Sequence, residues 1–210
     1  MKLLAAKRLE IPEIKVIRFA RFRDERGYFT EHFRRSDLQT NPLTPFMQGV
    51  EFVQANESFS RAGTVRGLHF QWDPYMGKLV RTLYGHMVDL VLDIRRGSPT
   101  LGKAIAYDMP SRESEDSDEW IWVPPGFAHG NVFLKDTTIE YLCSGEYSPG
   151  SEAGISPLAE DIDWSLCDPR LRQTFYSIAA STRLMTEKDR EGLSVSAWEK
   201  DVRSDKFTYT

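Results

Sequence analysis

The sequence predicts a mainly β protein, a sandwich or jelly roll, with a short helical segment at its C-terminus. Through the first two-thirds of the chain, short stretches of branched and aromatic residues are separated by Gly, Pro, Asp and Ser. About ten strands at such close spacing are typical of a sandwich or jelly roll. Later, Thr186 is followed three positions on by Asp189, which predicts the start of a helix.

The strand candidates follow one another along the chain. Alternating residues on both sides of Tyr84-Gly85 predict a β-hairpin over residues 78–94. The other candidates are residues 15–19, 28–33, 50–58, 64–70, 102–109, 119–123, 129–134 and 137–142. Residues 111–119 are expected to form a charged loop. Since no repeat or linker divides the chain, we expect a single domain with a core at about 11–165 and a helical tail at about 166–210.

Composition and charge exclude several classes of protein. The 210 residues are 40% hydrophobic and 28% charged, which suits a folded domain with a full core. A net charge of −4 argues against a nucleic-acid binder, although arginines cluster near the start of the chain, as a small anionic ligand would require. No apolar run approaches the roughly 20 residues that cross a bilayer, and no secretory signal is evident, so we expect a cytoplasmic protein without a membrane partner.

Metal binding has little support in the sequence. Cys143 and Cys167 form no C-x-x-C pattern, and we expect both to be reduced thiols. Metal sites in small β-barrels commonly show His-x-His followed by a nearby Glu, whereas His69 is followed by Phe and Gln. His129 could come from another strand, but a third ligand is not evident. We therefore expect no metal.

The segment Arg-Gly-Leu-His-Phe-Gln at residues 66–71 is the most informative part of the chain. Strand alternation puts Gly67 and His69 on one face and Arg66 on the other, unless a bulge intervenes. Gly67 is expected to leave space for a ligand beside the imidazole, whose ordinary pKa of about 6.5 suits a base at neutral pH. From spacing alone, a histidine packed inside a barrel is an equally good interpretation.

Residues 24–31 predict a turn followed by a strand that carries Phe29 and Glu31 on one face. Such a pair can stack on a planar base and hydrogen-bond its edge. The alternative is an exposed strand in which Glu31 meets an arginine across the sheet, and the residues alone favour this alternative.

Seven motifs occur in the order that is typical of one enzyme family. They are Asp24-x-Arg26-Gly27-x-Phe29-x-Glu31, Gln54-x-Asn56-x-Ser58, Arg66-Gly67-Leu68-His69-Phe70-Gln71, Gly77-Lys78, Asp93-Ile94-Arg95-x-Gly97-Ser98-Pro99-Thr100, Pro125-x-x-Ala128-His129-Gly130 and Tyr141-x-x-x-x-x-Tyr147-x-Pro149. Through these motifs, residues 11–164 resemble the dTDP-4-dehydrorhamnose 3,5-epimerase family, with a weaker match at Asp189.

This resemblance implies a cupin-type jelly-roll fold. It also implies an isomerase that works as a homodimer on a nucleotide-linked 4-keto-6-deoxyhexose and needs no metal or organic cofactor. The C4 ketone acidifies the protons on C3 and C5, so a base, a cation and an acid suffice to invert one or both centres through an enolate. The resemblance implies His69 as the base, Lys78 as the cation on the enolate oxygen and Tyr141 as the acid. It implies Asp189 as the partner of the base, although a helix-capping acid would occupy the same position.

The resemblance also implies a set of substrate-binding residues. Arg66 would grip the diphosphate with its planar guanidinium group. Phe29 and Glu31 would reach the nucleotide base of the partner subunit, which makes dimerisation part of the site. Tyr147 is equally compatible with a place at the barrel rim. The full set is Arg26, Phe29, Glu31, Gln54, Asn56, Arg66, His129, Tyr147 and Glu152.

Two departures from the family pattern leave the sugar, the base and the number of inverted centres open. The stretch between Gln71 and Lys78 is one residue shorter than usual and lacks the usual Pro-Pro, and Asn131 stands where Phe usually follows His-Gly. Two alternatives therefore stay in view, namely a related 3,4-ketoisomerase and a non-catalytic nucleotide-sugar binder or metal cupin.

Overall fold

The computed structural model describes residues 1–181 and 183–209, and thirteen strands and four α-helices lie within these ranges. The strands are β1 (Leu3–Arg8), β2 (Lys15–Ala20), β3 (Phe22–Asp24), β4 (Gly27–Phe29), β5 (Gln54–Ser60), β6 (Val65–Gln71), β7 (Lys78–Tyr84), β8 (His86–Asp93), β9 (Ala104–Pro110), β10 (Ser117–Val123), β11 (Phe127–Phe133), β12 (Thr137–Cys143) and β13 (Glu152–Gly154). The helices are α1 (Arg35–Thr40), α2 (Pro169–Ala179), α3 (Glu187–Arg190) and α4 (Val195–Lys200), with 3₁₀ turns at Pro45–Met47 and Val202–Lys206.

Two antiparallel sheets form a jelly-roll sandwich, which confirms the predicted fold class. The six-stranded sheet has the order β1-β2-β10-β7-β12-β5, and the five-stranded sheet has the order β13-β6-β11-β8-β9. Strands β3 and β4 form a separate two-stranded sheet. One cluster of buried residues, which includes Val80, Val91 and Ile121, draws side chains from both large sheets and fills much of the space between them.

The outer faces of both sheets are also covered. Helices α2 and α4 contribute Phe175 and Trp198 to a second cluster that includes Phe70 of the five-stranded sheet. Helix α1 contributes Leu38 to a third cluster, which includes Trp120 of the six-stranded sheet. The helical C-terminal segment is thus confirmed, while the expectation of a single domain divided near residue 165 stays a prediction. The helices in the described parts of the chain all fall short of the length and apolarity that crossing a bilayer requires.

Most predicted strands are present with shifted ends, but the prediction for residues 28–33 is wrong. Only Gly27–Phe29 is a strand there, and it pairs with β3 alone. The short strands β1, β3 and β13 and helices α1, α2 and α4 were not predicted individually. In β1 the sequence Leu-Leu-Ala-Ala-Lys-Arg holds no β-branched residue, so the local signal is weak and pairing with β2 defines the strand.

The predicted hairpin over residues 78–94 is also wrong, although both of its strands exist. Strand β7 pairs with β10 and β12, whereas β8 pairs with β9 and β11, so the chain crosses from one sheet to the other at Gly85. Gly85 has φ +92°, and a Cβ there would lie 2.2 Å from the carbonyl oxygen of Asp136. Alternation within each strand looks the same in a hairpin and in a sheet crossing, which is why the sequence misled.

Strand β6 contains a bulge that decides which of its side chains meet. His69 pairs with His129 and Arg66 pairs with Asn131, so two residues of β6 stand opposite the single Gly130 of β11. The bulge brings Arg66 and His69 to the same cavity, where regular alternation would have separated them. Gly67 does not open space for a ligand as expected, because a Cβ there would lie 2.5 Å from the Cα of Gly130.

Replacing Gly67 by Ala is expected to destabilise the fold more than the same substitution at another glycine with a positive φ angle. Gly67 has φ +114°, and its Cβ would also lie 2.8 Å from the carbonyl oxygen of His129. Gly97 has φ +78° with no atom within 4 Å of its Cβ position, so Gly97→Ala is a matched control. We expect losses in unfolding free energy of about 1 kcal/mol for Gly97→Ala and about 3 kcal/mol or more for Gly67→Ala, measured by urea denaturation. Equal losses would contradict a close-approach requirement at Gly67.

Candidate active site

A cavity of about 330 Å³ lies between the two sheets and collects all four predicted catalytic residues, together with Arg66 and His129 from the predicted binding set. His69 and His129 reach it from β6 and β11 of the five-stranded sheet. Lys78 and Tyr141 reach it from β7 and β12 of the six-stranded sheet, and Asp189 comes from α3. Because packed sheets lie about 10 Å apart, a sugar ring placed here would have His69 on one side and Tyr141 on the other.

His69 and Asp189 form a short, partly buried pair. The Nε2 atom of His69 lies 2.6 Å from Oδ1 of Asp189, and only 4% of the Asp189 side chain is exposed. Burial opposes ionisation of Asp189, but hydrogen bonds from His69, Thr186 and the Gly67 backbone outweigh it and lower the pKa of the carboxyl group. A carboxylate that accepts from Nε2 leaves the lone pair of the imidazole on Nδ1.

Asp189 is not the residue that caps the helix, because Thr186 caps it. The Thr186 hydroxyl accepts a hydrogen bond from the backbone N–H of Asp189 at 3.2 Å, as the predicted helix start requires. The cap uses the backbone N–H of Asp189, while its carboxylate contacts His69. The cap and the pair therefore use different atoms of the same short turn.

Burial shifts the pKa values of Lys78 and Tyr141 towards the neutral form of each group, which suits Tyr141 as an acid and works against the charge of Lys78. Burial is the largest effect on Lys78 and lowers its pKa, while Cys143, Asp89 and Glu152 act in the opposite direction. Burial also raises the pKa of Tyr141, and Cys143 adds to this rise against the opposing charge of Arg66. The Tyr141 phenol is thus held protonated.

A second space of about 320 Å³ continues from the first and shares His69, Lys78 and Tyr141 with it. Gln54, Asn56, Tyr147 and Glu152, all predicted from the sequence, line this extension. Gln54 accepts from the backbone N–H of Tyr147 at 2.8 Å and donates to Asn56 at 3.0 Å. Glu152 accepts from the Tyr147 hydroxyl at 3.1 Å and from Lys188 at 2.6 Å.

Positive charge is concentrated at the opening of the cavity. Arg66 is exposed and donates to the Ser60 hydroxyl at 2.9 Å, and it has no carboxylate partner among residues 1–181 and 183–209. Lys188 lies on the same cavity wall. An arginine that is not neutralised by an acid offers its remaining N–H groups to an anionic ligand such as a phosphate.

Three predicted site residues do not reach either space in their own subunit. Arg26, whose side chain is 85% exposed, pairs with Asp24, and Phe29 is 68% exposed. Glu31 pairs with the N-terminal amine and with Arg34, three positions along the chain, and not with an arginine across a sheet. Arg26 and Phe29 belong to the β3–β4 hairpin and its turn.

Several lining residues were not predicted as part of the site. Ser58 follows Gln54 and Asn56 at strand spacing, so alternation could have identified it. Asn131 was noted only as a departure from the family pattern, and Lys188 only as part of a helix start. Within the described residues, no three His, Cys, Asp or Glu side chains are grouped as a metal site would require. Cys143 and Cys167 are both free thiols, as expected.

The antiparallel jelly roll and the ionisable groups of its inner cavity place the chain in the class of cupin-like enzymes. Residues 8–196 match the family model described as dTDP-4-dehydrorhamnose 3,5-epimerase. The chain therefore belongs to the dTDP-4-dehydrorhamnose 3,5-epimerase family, and it is an isomerase.

Individual relatives agree with this assignment. A dTDP-4-dehydrorhamnose 3,5-epimerase from Sinorhizobium fredii is 44% identical over 150 residues, which cover 70% of this chain and 72% of the relative. One from Shigella flexneri is 38% identical over 166 residues, with coverage of 77% and 87%. The crystal structure of a dTDP-6-deoxy-D-glucose-3,5-epimerase from Legionella pneumophila in complex with dTDP-4-keto-L-rhamnose has a TM-score of 0.76 and 29% identity, and the match covers 98% of this chain and 97% of that one.

Proposed function

We propose that this protein epimerises a nucleotide-linked 4-keto-6-deoxyhexose, with dTDP as the nucleotide, at C3, C5 or both. The observation that carries the proposal is the placement of the His69–Asp189 pair on one side of a cavity that has Lys78 and Tyr141 on the other. Inversion needs a base and an acid on opposite faces of one carbon, and a cation for the oxyanion formed between the two steps.

The chemistry proceeds by two proton transfers through an enolate. His69 removes the proton from the carbon next to the C4 ketone, and the electron pair of that C–H bond moves onto the ketone oxygen. Asp189 stabilises the imidazolium that forms, and Lys78 stabilises the negative oxygen. Tyr141 then returns a proton to the opposite face of the carbon, which restores the ketone. No metal or organic cofactor takes part in this scheme.

The diphosphate is assigned to the positively charged opening. Arg66 supplies a planar guanidinium group, and Gln54 and Asn56 line the adjoining space. One donor of each amide is already engaged, since Gln54 donates to Asn56 and Asn56 donates to the Cys143 thiol at 3.5 Å. The second N–H of each amide remains available to a phosphate oxygen. His129, Tyr147 and Glu152 complete the pocket.

We infer that the β3–β4 hairpin serves the site of a partner subunit in a homodimer. In its own subunit this hairpin reaches neither space, and it exposes three aromatic residues, Phe22, Tyr28 and Phe29, at 50%, 46% and 68%. Phe29 would stack on the nucleotide base while Arg26 and Glu31 bind polar groups of the nucleotide. The two free buried thiols favour a reducing, cytoplasmic setting for the enzyme.

Mixing two inactive variants tests the partner-supplied hairpin. The variant His69→Asn has a defective cavity and an intact hairpin. The double variant Arg26→Ala/Phe29→Ala has an intact cavity and a defective hairpin. If the hairpin acts across a dimer, each mixed dimer contains one complete site, and re-associated mixtures regain about a quarter of wild-type activity. Turnover that stays at the level of the separate variants, with mixed dimers verified by differential tagging, contradicts the arrangement.

Replacing Tyr141 by Phe is expected to separate proton removal from inversion. The variant keeps His69, Asp189 and Lys78, so the substrate still loses its proton to the base. The enolate then has no phenol on its opposite face and is reprotonated from the side of His69. NMR in D2O is expected to show label entering the starting sugar, while epimer formation falls by about 10²-fold or more. A variant that loses label exchange and inversion equally contradicts the assignment of Tyr141 as the acid.

Product analysis distinguishes the proposed reaction from its alternatives. The purified protein is incubated with dTDP-4-keto-6-deoxyglucose, and the products are identified by NMR. The proposal predicts C3 or C5 epimers that keep the carbonyl at C4. A carbonyl found at C3 would indicate a ketoisomerase, and an unchanged sugar that binds with a measurable Kd would indicate a binding protein.

A further inference from the structure

A buried carboxylate lies behind the wall of the cavity and holds two of the residues that line it. Asp89 of β8 has no accessible surface, and its Oδ2 atom lies 2.8 Å from Nε2 of His129 and 3.0 Å from Nδ2 of Asn131. Its other oxygen, Oδ1, is buried without a hydrogen-bond partner in the described chain. His129 and Asn131 therefore supply the side-chain hydrogen bonds that compensate its burial.

This arrangement fixes which end of the Asn131 amide faces the cavity. A carboxylate accepts hydrogen bonds but cannot donate them, so the amide must turn its NH2 group towards Asp89. The same Nδ2 atom lies 3.4 Å from the sulfur of Met87. Turning the amide over would leave the Asp89 carboxylate with one donor fewer and set two oxygens against each other. The Oδ1 atom of Asn131 accepts no hydrogen bond within residues 1–181 and 183–209.

Several hydrogen-bond donors line the cavity around this free oxygen. Asn131 lines the same cavity as Lys78, Tyr141 and Arg66, which all donate, while the Asp189 carboxylate in that cavity is occupied by His69. A hydroxylated sugar ring brings donors of its own that need acceptors once water is displaced. A neutral amide oxygen can accept from such a hydroxyl group without taking a proton from it.

We propose that Asn131 is a specificity-determining residue whose amide oxygen accepts a hydrogen bond from a ring hydroxyl group of the sugar, on C2 or C3. The enzyme then selects 4-keto sugars that keep this hydroxyl group over their deoxy analogues, because an analogue leaves the amide oxygen buried and unpaired. This inference rests on the proposed function and adds the class of sugar that the cavity selects. It concerns selection among substrates and assigns no proton transfer to Asn131.

The test combines three substrates with two variants. The substrates are dTDP-4-keto-6-deoxyglucose and its 2-deoxy and 3-deoxy analogues, and the readout is kcat/KM for solvent deuterium exchange at C3 or C5. Asn131→Leu removes the amide at similar volume, and Asn131→Ser does so with less risk to folding. Met87→Leu is the matched control, since Met87 contacts the same amide but does not line the cavity.

We expect wild type and Met87→Leu to disfavour one deoxy analogue by about 10-fold or more, and the Asn131 variants to reduce this ratio to about 2-fold or less. A purely structural role for Asn131 would slow all three substrates by one factor and leave the ratio unchanged, which would overturn the inference. Wild-type rates that agree for all three substrates would also overturn it. If wild type exchanges none of them, the proposed function fails as well, whereas exchange without discrimination refutes this inference alone.

Discussion

Replacing His69 by Asn is expected to lower kcat for epimerisation by about 10²–10⁴-fold, because the amide cannot take up the proton from the sugar carbon. The asparagine amide ends near the position of the imidazole Nδ1 and does not reach Asp189, so the variant removes the base and the pair together. KM for the nucleotide sugar is expected to change little, since the diphosphate is assigned to Arg66. Steady-state kinetics and D2O exchange on the same preparation measure both effects.

His86 provides a matched control for this substitution. Its Nε2 atom lies 2.6 Å from Oδ1 of Asp108, the same distance as in the His69–Asp189 pair, but neither His86 nor Asp108 lines the cavity. His86→Asn therefore removes a similar pair outside the proposed site. Near-normal turnover is expected from this variant. If both variants lose activity together, or if His69→Asn keeps normal turnover, the assignment of His69 as the base is contradicted.

Replacing Lys78 by Met is expected to lower kcat by about 10²–10³-fold, since it removes the charge that stabilises the enolate oxygen. A methionine side chain is similar in length to the lysine, so the packing between the two sheets can be kept. The loss is expected to appear in label exchange and in epimer formation alike, because both pass through the enolate. If the variant lost inversion but kept normal label exchange, Lys78 would act in the second proton transfer and not in the first.

The pH dependence of kcat supplies an independent test of Lys78. A lysine is charged below its pKa, and burial moves the pKa of Lys78 below the ordinary value of 10.5. Enolate stabilisation is therefore complete at low pH and is lost as the pH rises through this lowered pKa. Wild type is expected to lose activity on the alkaline side before pH 10.5. Lys78→Arg keeps its charge and is expected to lack this decline, even if its kcat is lower.

The sequence predicted the sandwich because several of its strands carry their signal locally. Strands β2 and β12 show branched and aromatic residues in alternation, and their observed ends lie within one residue of the prediction. Pairing was harder to predict, since it depends on contacts across the chain. The crossing at Gly85 requires contacts with Asp136 and Thr137, some fifty positions away, and alternation within β7 and β8 holds no trace of them.

Site residues could be predicted where they belong to a family motif. Contacts that depend on the tertiary structure were harder to predict. Spacing alone left His69 balanced between packing and chemistry, and only the resemblance connected it with Asp189, 120 positions along the chain. The bulge that brings Arg66 beside His69 adds one residue to β6, which strict alternation does not anticipate. The link from Asn131 through Asp89 to His129 joins two strands, and no spacing within either strand reveals it.

Solvent deuterium incorporation tests the central claim most directly. The protein is incubated in D2O with dTDP-4-keto-6-deoxyglucose, and the product is isolated and read by NMR. Proton removal by His69 and return by Tyr141 from the opposite side predict that each inverted carbon, C3 or C5, carries deuterium from the solvent. An inverted carbon that keeps its original proton, or label that enters neither position with wild-type protein, would contradict an enolate mechanism at this site.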